Sequence, residues 1–134
     1  MPPSLATLTS VGWLHVRDGR LLAVRTRGRD RFYLPGGKPE PGETDEQALV
    51  REVREELGLE LADPRPAFTV QAPAHGLAAE TELTLHCFTA DSLGEPRPAA
   101  EIEELAWLRI PVDVRAAPAV HAVLARLYRE SRLS

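Results

Sequence analysis

Three glutamates near the middle of the chain have a spacing that could bind a metal ion. Glu52, Glu55 and Glu56 lie at relative positions i, i+3 and i+4. In a helix these positions share one face, so the three carboxylates would repel one another unless a cation lay between them. Hard divalent cations such as Mg²⁺ prefer oxygen ligands of this kind and keep water ligands that a phosphate substrate can replace. The same residues could instead form a solvated acidic face, which is the usual meaning of a short charge run.

The residues around these glutamates predict the helix that must hold them. Thr44 and Gln47 have the spacing of a capping box, and acidic residues follow Thr44 in the first turn. An apolar stripe at helical spacing consists of Leu49, Val50, Val53 and Leu57. Gly58 stands where a left-handed glycine commonly ends a helix. We therefore predict a helix from about Asp45 to Leu57.

The loop before this helix completes a longer motif. The segment from Gly37 to Leu59 reads GKPEPGETDEQALVREVREELGL. It fits the pattern G-x5-E-x7-R-E-U-x-E-E-x-G-U, where U is apolar, at every fixed position. This pattern resembles the box of the Nudix hydrolase superfamily, and so many specified positions at fixed spacing make a strong signal. The residues Phe32 to Gly37 also resemble the aromatic-x-L-P-G-G segment that is common at the entry to such boxes.

The resemblance implies hydrolysis of a phosphoanhydride bond with bound Mg²⁺ or Mn²⁺. The implied metal ligands are the carbonyl oxygen of Gly37 and the carboxylates of Glu52, Glu55 and Glu56. A diphosphate repels an incoming water, so cations must bridge its oxygens and lower the pKa of a bound water. Arg51, together with Glu43, is predicted to orient the glutamates rather than to contact phosphate.

The group that accepts the proton from the attacking water is left open by the motif. Glu52 is one candidate. The acidic group Glu101, Glu103 and Glu104 is the other, because many members of the superfamily place an extra carboxylate near the metals in this region. Within the group, Glu101 is the first choice by its distance from Trp107, and Glu104 is the second. All three could also be solvated surface residues.

A basic loop and its neighbours are candidates for substrate binding. Arginines occupy every second position from Arg25 to Arg31. Such a run is usually a solvated turn, but guanidinium groups can also bind phosphate oxygens in pairs of hydrogen bonds. We take Arg25, Arg31, Tyr33 and His75 as the substrate-binding candidates, the last because loops of the family in this region often reach the substrate.

Composition limits the classes of function. The 134 residues carry a net charge of −4, which argues against a general nucleic-acid binder but allows a nucleotide substrate. Cys87 is the sole cysteine of the sequence, so neither an intramolecular disulfide nor a thiolate zinc cluster is expected. The N-terminal segment has no signal-peptide pattern, and no apolar run approaches the length of a membrane span. We expect a cytoplasmic protein that does not bind membranes.

The rest of the chain reads as short strands and one further helix. Strands are expected at residues 7–16 and 21–26 around an Asp18-Gly19 turn, and at residues 32–34. After the box, strands are expected at 67–72, at 80–90 and around Leu105 to Ile110. Pro118 suits the first turn of a last helix with an apolar stripe formed by Val120, Val123, Leu124 and Leu127, while His121 and Tyr128 fall outside the stripe.

These elements predict an α/β fold in one domain covering residues 1–134. The resemblance sharpens this to the Nudix fold, a mixed curved β-sheet sandwiched between α-helices (α/β/α). His86 and Cys87 lie on one of the strands without a catalytic partner at a suitable spacing. We interpret them as residues packed in the sheet, since a free cysteine is mostly a small core residue.

Several functions stay open at this point. The leading hypothesis is hydrolysis of a nucleoside triphosphate, including an oxidised one, and the second is an ADP-ribose-like nucleotide sugar. The alternatives are a non-catalytic nucleotide-binding Nudix module, a Nudix-related isomerase of isoprenoid diphosphates, and an acidic interaction protein. A homodimer is plausible for the family, and the sequence has no distinctive interface.

Overall fold

Seven strands and two helices follow one another in the computed structural model, which describes residues 6–74 and 81–133. In chain order they are β1 (Ala6–Trp13), β2 (Val16–Arg17), β3 (Arg20–Thr26), β4 (Gly36–Gly37), α1 (Asp45–Leu57), β5 (Glu60–Pro73), β6 (Thr81–Leu93), β7 (Ile102–Leu108) and α2 (Pro118–Arg129). Neither helix is long and apolar enough to span a membrane, within the part of the chain that the structure describes.

The strands form two sheets of mixed direction. One sheet has the order β4-β1-β6-β5 and the other has the order β2-β3-β7. β1 and β6 are parallel, from Ala6 opposite Thr81 to Trp13 opposite Phe88, and the other pairs are antiparallel. The chain therefore leaves β1, crosses through α1 and β5, and returns beside β1 as β6.

Alternate residues of the strands pack into two apolar cores. On β3, Leu21 and Ala23 belong to the core that α2 covers, whereas Leu22 and Val24 belong to the core that α1 covers. Because both faces of the strands are buried beneath a helix, the structure has the α/β/α arrangement. The predicted α/β fold is confirmed, with its strands divided between two sheets rather than forming one.

Helix α1 has the predicted limits, and its ends are formed by local contacts. The Thr44 hydroxyl accepts a hydrogen bond from the backbone N–H of Gln47 at 3.1 Å, and the Gln47 side chain accepts one from the N–H of Thr44 at 2.9 Å. Gly58 ends the helix in the left-handed conformation with φ 67°. The capping box and the terminal glycine predicted from the sequence are therefore confirmed.

The two glycines of β4 bring the loop against β1. Gly36 pairs with Gly12 and Gly37 with Val11. Gly36 has φ 148°, and a Cβ atom there would lie 2.0 Å from the carbonyl oxygen of Val11. No other residue type fits at Gly36 without displacement of the backbone. This close approach holds the beginning of the loop beside α1.

The prediction of a strand at residues 32–34 is wrong. Phe32 forms an isolated bridge with Ala116, and Tyr33 forms one with Val24. Because the two neighbouring residues pair with different segments, no continuous ladder can form. The chain pairs regularly only after Pro35, at β4.

Other strand limits also differ from the prediction. The first strand stops at Trp13 and resumes as β2 in the other sheet. β5 begins at Glu60 rather than at residue 67, because register shifts near Ala62 and Pro66 accommodate Pro64 and Pro66 within the strand. Ile110 lies outside β7 and is 42% exposed; Pro111 follows it and cannot donate a ladder hydrogen bond.

The last helix and the sheet residues His86 and Cys87 are as predicted. The apolar stripe of α2 is buried, and His121 and Tyr128 are exposed. Cys87 is buried, and burial raises the pKa of its thiol to about 12. His86 makes a 2.9 Å hydrogen bond with the hydroxyl of Thr69 on the neighbouring strand. The contacts of both residues thus agree with the interpretation that they are packed in the sheet.

A stack of rings joins β1 to β7. His15 lies parallel to Trp13 at 4.3 Å between ring centroids and is tilted against Trp107 at 5.7 Å. The guanidinium of Arg17 lies over the ring of Trp107, at 4.9 Å from its centroid. Burial, together with the charge of Arg17, lowers the pKa of His15, and the charge of Glu95 opposes this shift.

We predict that His15 makes the protein less stable in mild acid. Its pKa is lower in the folded chain, so the unfolded chain binds the extra proton more readily as the pH falls through about 6.5. His15→Phe keeps a stacked ring and removes the titration, so the free energy of unfolding should depend less on pH between about 7.5 and 5.5. Urea denaturation at several pH values measures this. The exposed-site variant His121→Phe should retain the wild-type pH dependence, and an unchanged slope in His15→Phe would contradict the prediction.

Candidate active site

A cavity of about 460 Å³ opens between the two sheets and the beginning of α2. Its polar or charged side chains come from Ser10, Thr26, Arg29, Tyr33, Glu56 and Glu101. Gly36 and Gly37 of β4 also line it, and most of the remaining wall is apolar. The cavity thus joins one end of the predicted metal-binding motif to an apolar recess.

Glu56 is the glutamate of α1 that reaches this cavity. Its Oε1 atom accepts a hydrogen bond from the backbone N–H of Gly36 at 2.9 Å. Burial raises the pKa of Glu56 to about 8, against the lowering effect of this hydrogen bond. The negative charges of Glu52, Glu55 and Glu101 add to the increase. The site therefore holds a carboxyl group that is difficult to ionise without a cation nearby.

Glu52 lies against the other glycine of β4. A Cβ atom at Gly37 would be 2.7 Å from Cδ and 2.8 Å from Oε1 of Glu52. The missing side chain of Gly37 is what allows the carboxylate to approach the loop backbone. Burial also raises the pKa of Glu52, and its hydrogen bond with Arg51 opposes the shift.

Arg51 connects the loop to the glutamates. Its Nε and Nη2 atoms donate to the two carboxylate oxygens of Glu43 at 2.7 and 2.9 Å. Its Nη1 atom donates to Glu52 at 2.9 Å and lies 3.5 Å from Glu55. The hydrogen bond with Arg51 lowers the pKa of Glu43 to about 2. This two-bond pairing supports the hypothesis that Arg51 and Glu43 orient the glutamates.

Among the three acids near β7, Glu101 is the one that lines the cavity. Its carbonyl oxygen accepts a 2.7 Å hydrogen bond from the backbone N–H of Arg27. Glu104 lies opposite Arg25 in the β3–β7 ladder and accepts a 3.0 Å hydrogen bond from it, and Glu103 lies 3.8 Å from the same guanidinium. The strand register therefore separates the three residues that the sequence grouped together.

The donor set suits a hard divalent cation, although the acids are spread apart. Within residues 6–74 and 81–133, no group of three His, Cys, Asp or Glu residues already converges on one point. Glu55 is 55% exposed beside Arg51, and Glu52 also contacts Arg51. All the candidate donors are oxygen atoms, and a cation would relieve both the burial and the repulsion that raise the pKa of Glu52 and Glu56. The residues thus fit Mg²⁺ or Mn²⁺.

The substrate-binding candidates are placed in different surroundings. Tyr33 lines the cavity, and burial raises its pKa. Arg25 is engaged with Glu104 and does not line the cavity. Arg31 is also outside the cavity wall, and its buried Nε atom has no partner within the described part of the chain. His75 lies outside the described residues.

Among the charged residues that line the cavity, Arg29 is the one that the sequence did not single out. It shares a basic loop with three other arginines, and their alternating spacing does not distinguish them. The turn after β3 decides which of them faces the cavity. A local signal is present only in Gly28, whose φ of 81° turns the chain just before Arg29.

The model of the NUDIX domain family matches residues 7–129 of the chain. This match extends far beyond the box and includes the strands and α2. The chain belongs to the Nudix family. The family resemblance predicted from Gly37–Leu59 is therefore confirmed.

Individual relatives agree with this assignment. A Mycobacterium tuberculosis protein that is named, provisionally, an 8-oxo-dGTP diphosphatase is 37% identical, with 69% of this chain and 72% of the relative covered. The crystal structure of a MutT NUDIX hydrolase from Burkholderia pseudomallei superposes with a TM-score of 0.75 and 26% identity, covering 90% of this chain and 98% of that one. The predicted Nudix fold and the predicted hydrolase class are confirmed.

A match to an isoprenoid enzyme is shorter. An isopentenyl-diphosphate Delta-isomerase of Salmonella heidelberg is 40% identical over 63 residues. That match covers 42% of this chain and 34% of the isomerase. The family match over residues 7–129 is far longer, and the more extensively matched relatives of this Nudix protein are hydrolases rather than isomerases.

Proposed function

We propose that this Nudix hydrolase cleaves a phosphoanhydride bond of a nucleoside triphosphate, including an oxidised one, with bound Mg²⁺ or Mn²⁺. The observation that carries the proposal is the cavity, whose volume of about 460 Å³ suits a small-molecule ligand. Glu56 and Glu101 provide its acidic wall beside the box, and an apolar wall is available to a base. The provisional name of the Mycobacterium tuberculosis relative favours an oxidised purine triphosphate.

In this proposal some residues of the box bind the metal, and others position those ligands. Glu52, Glu55, Glu56 and the carbonyl of Gly37 would be the ligands. When bound, the metal supplies positive charge to the phosphate oxygens and lowers the pKa of a water molecule. Arg51 keeps Glu52 in place through its contacts with both Glu52 and the loop residue Glu43.

We further propose Glu101 as the proton acceptor for the attacking water. Glu101 lines the cavity, and its carboxylate makes no hydrogen bond or ion pair with a side chain or backbone group of the described ranges. Glu52, the other candidate, is already hydrogen-bonded to Arg51. A carboxylate oxygen of Glu101 would take the proton as the water oxygen attacks phosphorus.

A substrate panel tests the proposal. ATP, dGTP, 8-oxo-dGTP and ADP-ribose are incubated with Mg²⁺ or Mn²⁺, and the release of pyrophosphate and phosphate is measured. We expect a nucleoside triphosphate to give pyrophosphate and a nucleoside monophosphate faster than ADP-ribose is cleaved, and chelation of the metal to stop the reaction. Glu101→Gln should lower kcat by about 100-fold or more, because proton acceptors contribute on this scale.

The outcomes separate the alternatives. Preferential cleavage of ADP-ribose would replace the triphosphate with a nucleotide sugar. Background release in the wild type, equal to that in Glu56→Gln, would contradict hydrolysis of these substrates and favour a nucleotide-binding module. The cytoplasmic location and the homodimer stay predictions, and in this proposal the partner is a nucleotide-type small molecule rather than a nucleic-acid polymer.

A further inference from the structure

Two hydrogen bonds fix the backbone of Arg29 in the turn after β3. The backbone N–H of Arg29 donates to the carbonyl of Thr26 at 3.0 Å. Its carbonyl accepts a 3.0 Å hydrogen bond from Nη1 of Arg25, and Arg25 in turn donates to Glu104 at 3.0 Å. The cross-strand ion pair of β3 and β7 therefore supports the backbone of Arg29.

The side chain of Arg29 has an unused set of donors. Its guanidinium makes no hydrogen bond or ion pair within residues 6–74 and 81–133. Three other arginines are paired: Arg25 with Glu104, Arg51 with Glu43, and Arg115 with Asp30 at 3.1 Å. The loop neighbours Arg27 and Arg31 also make no such bond within the described residues, but neither lines the cavity. Yet Arg29 lines the cavity. An arginine that faces a ligand-sized cavity without a partner is available to an anionic ligand.

Arg29 is the only arginine among the described residues that line the cavity. Arg29 lies in the same wall as Glu56 and Glu101. The turn that carries it is joined to Glu101, because the N–H of Arg27 donates to the Glu101 carbonyl at 2.7 Å. Arg29 is thus placed at the acidic side of the cavity, where the proposed function puts the reacting phosphates.

Phosphate is the ligand that best matches these features. A guanidinium presents five donors in a planar fork that can bind two phosphate oxygens at once. Carboxylates repel phosphates, so the acidic wall needs positive charge beyond that of a metal when several phosphates enter. Apolar residues of β6 and α2, including Leu85 and Val120, are better suited to the base.

We infer that Arg29 binds the phosphates on the far side of the scissile bond, which become the pyrophosphate product. The inference rests on the proposed function, because it assumes a nucleoside triphosphate in the cavity. It assigns the charge of Arg29 to the part of the substrate that becomes pyrophosphate rather than to the part that becomes the nucleoside monophosphate. Binding of a triphosphate should therefore depend on Arg29, and binding of the corresponding monophosphate should not.

Calorimetric titration tests this without turnover. The wild type and Arg29→Ala are titrated, with Mg²⁺ present, with an α,β-methylene nucleoside triphosphate and with the nucleoside monophosphate. We expect Arg29→Ala to weaken triphosphate binding by about 10- to 100-fold, as for a lost charge-assisted hydrogen bond, and monophosphate binding by less than about 3-fold. Arg29→Lys should recover part of the loss, since it keeps the charge without the fork.

Arg27→Ala is the matched control. Arg27 is an exposed arginine of the same loop, and its side chain does not line the cavity. Its substitution should leave both affinities within about 3-fold of the wild type. Because Arg29 is also exposed, thermal unfolding of Arg29→Ala should match the wild type.

Failure of the inference can be told from failure of the proposed function. Tight triphosphate binding by the wild type with no loss in Arg29→Ala would overturn the inference alone. Equal losses for triphosphate and monophosphate would also overturn it, since Arg29 would then contact the part that both ligands share. If the wild type bound neither ligand, the proposed function and the inference would both be contradicted.

Discussion

Glu56→Gln is expected to stabilise the metal-free protein at about pH 9 and to remove its hydrolase activity. Burial raises the pKa of Glu56 from 4.5 to about 8, so the folded chain holds this proton to a higher pH than the unfolded chain does. As the pH rises from 4.5 through 8, ionisation of Glu56 therefore favours unfolding. Gln remains neutral and can still accept the hydrogen bond from Gly36, which Glu56 accepts at 2.9 Å.

The change in the free energy of unfolding depends on the difference between the pKa of Glu56 in the folded chain and its pKa in the unfolded chain. Differential ionisation on this scale corresponds to a free energy on the order of a few kcal/mol at about pH 9. Urea denaturation with a chelator, at about pH 6 and about pH 9, measures it. The variant should gain stability over the wild type mainly at the higher pH. A variant that is less stable than the wild type at both pH values would show that burial of the charge does not control the stability at this position.

The activity of the same variant should move in the opposite direction. Loss of one proposed metal ligand should lower kcat/KM by about 100-fold or more, because charge stabilisation by a metal is worth several kcal/mol. Mg²⁺ should stabilise the wild type and should stabilise Glu56→Gln much less. Glu46→Gln is the control, since Glu46 is an exposed acid in the first turn of α1, outside the cavity. It should change neither property.

Gly37→Ala is expected to disable the site while the fold persists. The added Cβ would lie 2.7 Å from Cδ of Glu52, which is the end of a flexible side chain. Gly37 does not have a positive φ, so its backbone conformation is open to alanine. The expected response is rotation of Glu52 away from the loop, with kcat/KM lowered by about 100-fold and Mg²⁺ affinity reduced.

Gly36→Ala separates this effect from general damage. At that position the added Cβ would be 2.0 Å from the backbone oxygen of Val11, and φ is 148°. Neither conflict can be relieved by a side chain, so we expect a loss of more than about 3 kcal/mol in the free energy of unfolding. Thermal unfolding and Mg²⁺ titration of both variants measure the contrast. Wild-type activity in Gly37→Ala would contradict the assigned contact with Glu52.

Helix α1 shows what could be predicted from the sequence. Its beginning depends on Thr44 and Gln47, which are three residues apart, and its end depends on Gly58. The contacts that define these limits lie within one or two turns, so the spacing of residue types was enough to predict them. The same reasoning applies to the buried stripe of α2. The family followed from the box for a related reason, because all its positions lie in one continuous segment.

Strands and their limits depended on distant partners. β5 was predicted to begin at residue 67, but β6 pairs with it from Glu60 through register shifts around Pro64 and Pro66. Phe32 and Tyr33 resembled a strand by composition, but each pairs with a different segment. The energy of a strand comes from its cross-strand neighbours, and these are far away in the sequence.

The same distinction divides the candidate site. Glu52, Glu55 and Glu56 share a helix face because of their spacing, so the sequence was sufficient to group them. It could not separate Glu101 from Glu104, or Arg29 from Arg25. The antiparallel register of β3 and β7 does so, because Arg25 lies opposite Glu104 and the two charges pair. Glu101 and Arg29 lie outside those strands, just before β7 and in the turn after β3, and both line the cavity. The family was thus encoded in contiguous residues, whereas the residues that line the cavity were selected by contacts between strands nearly eighty positions apart.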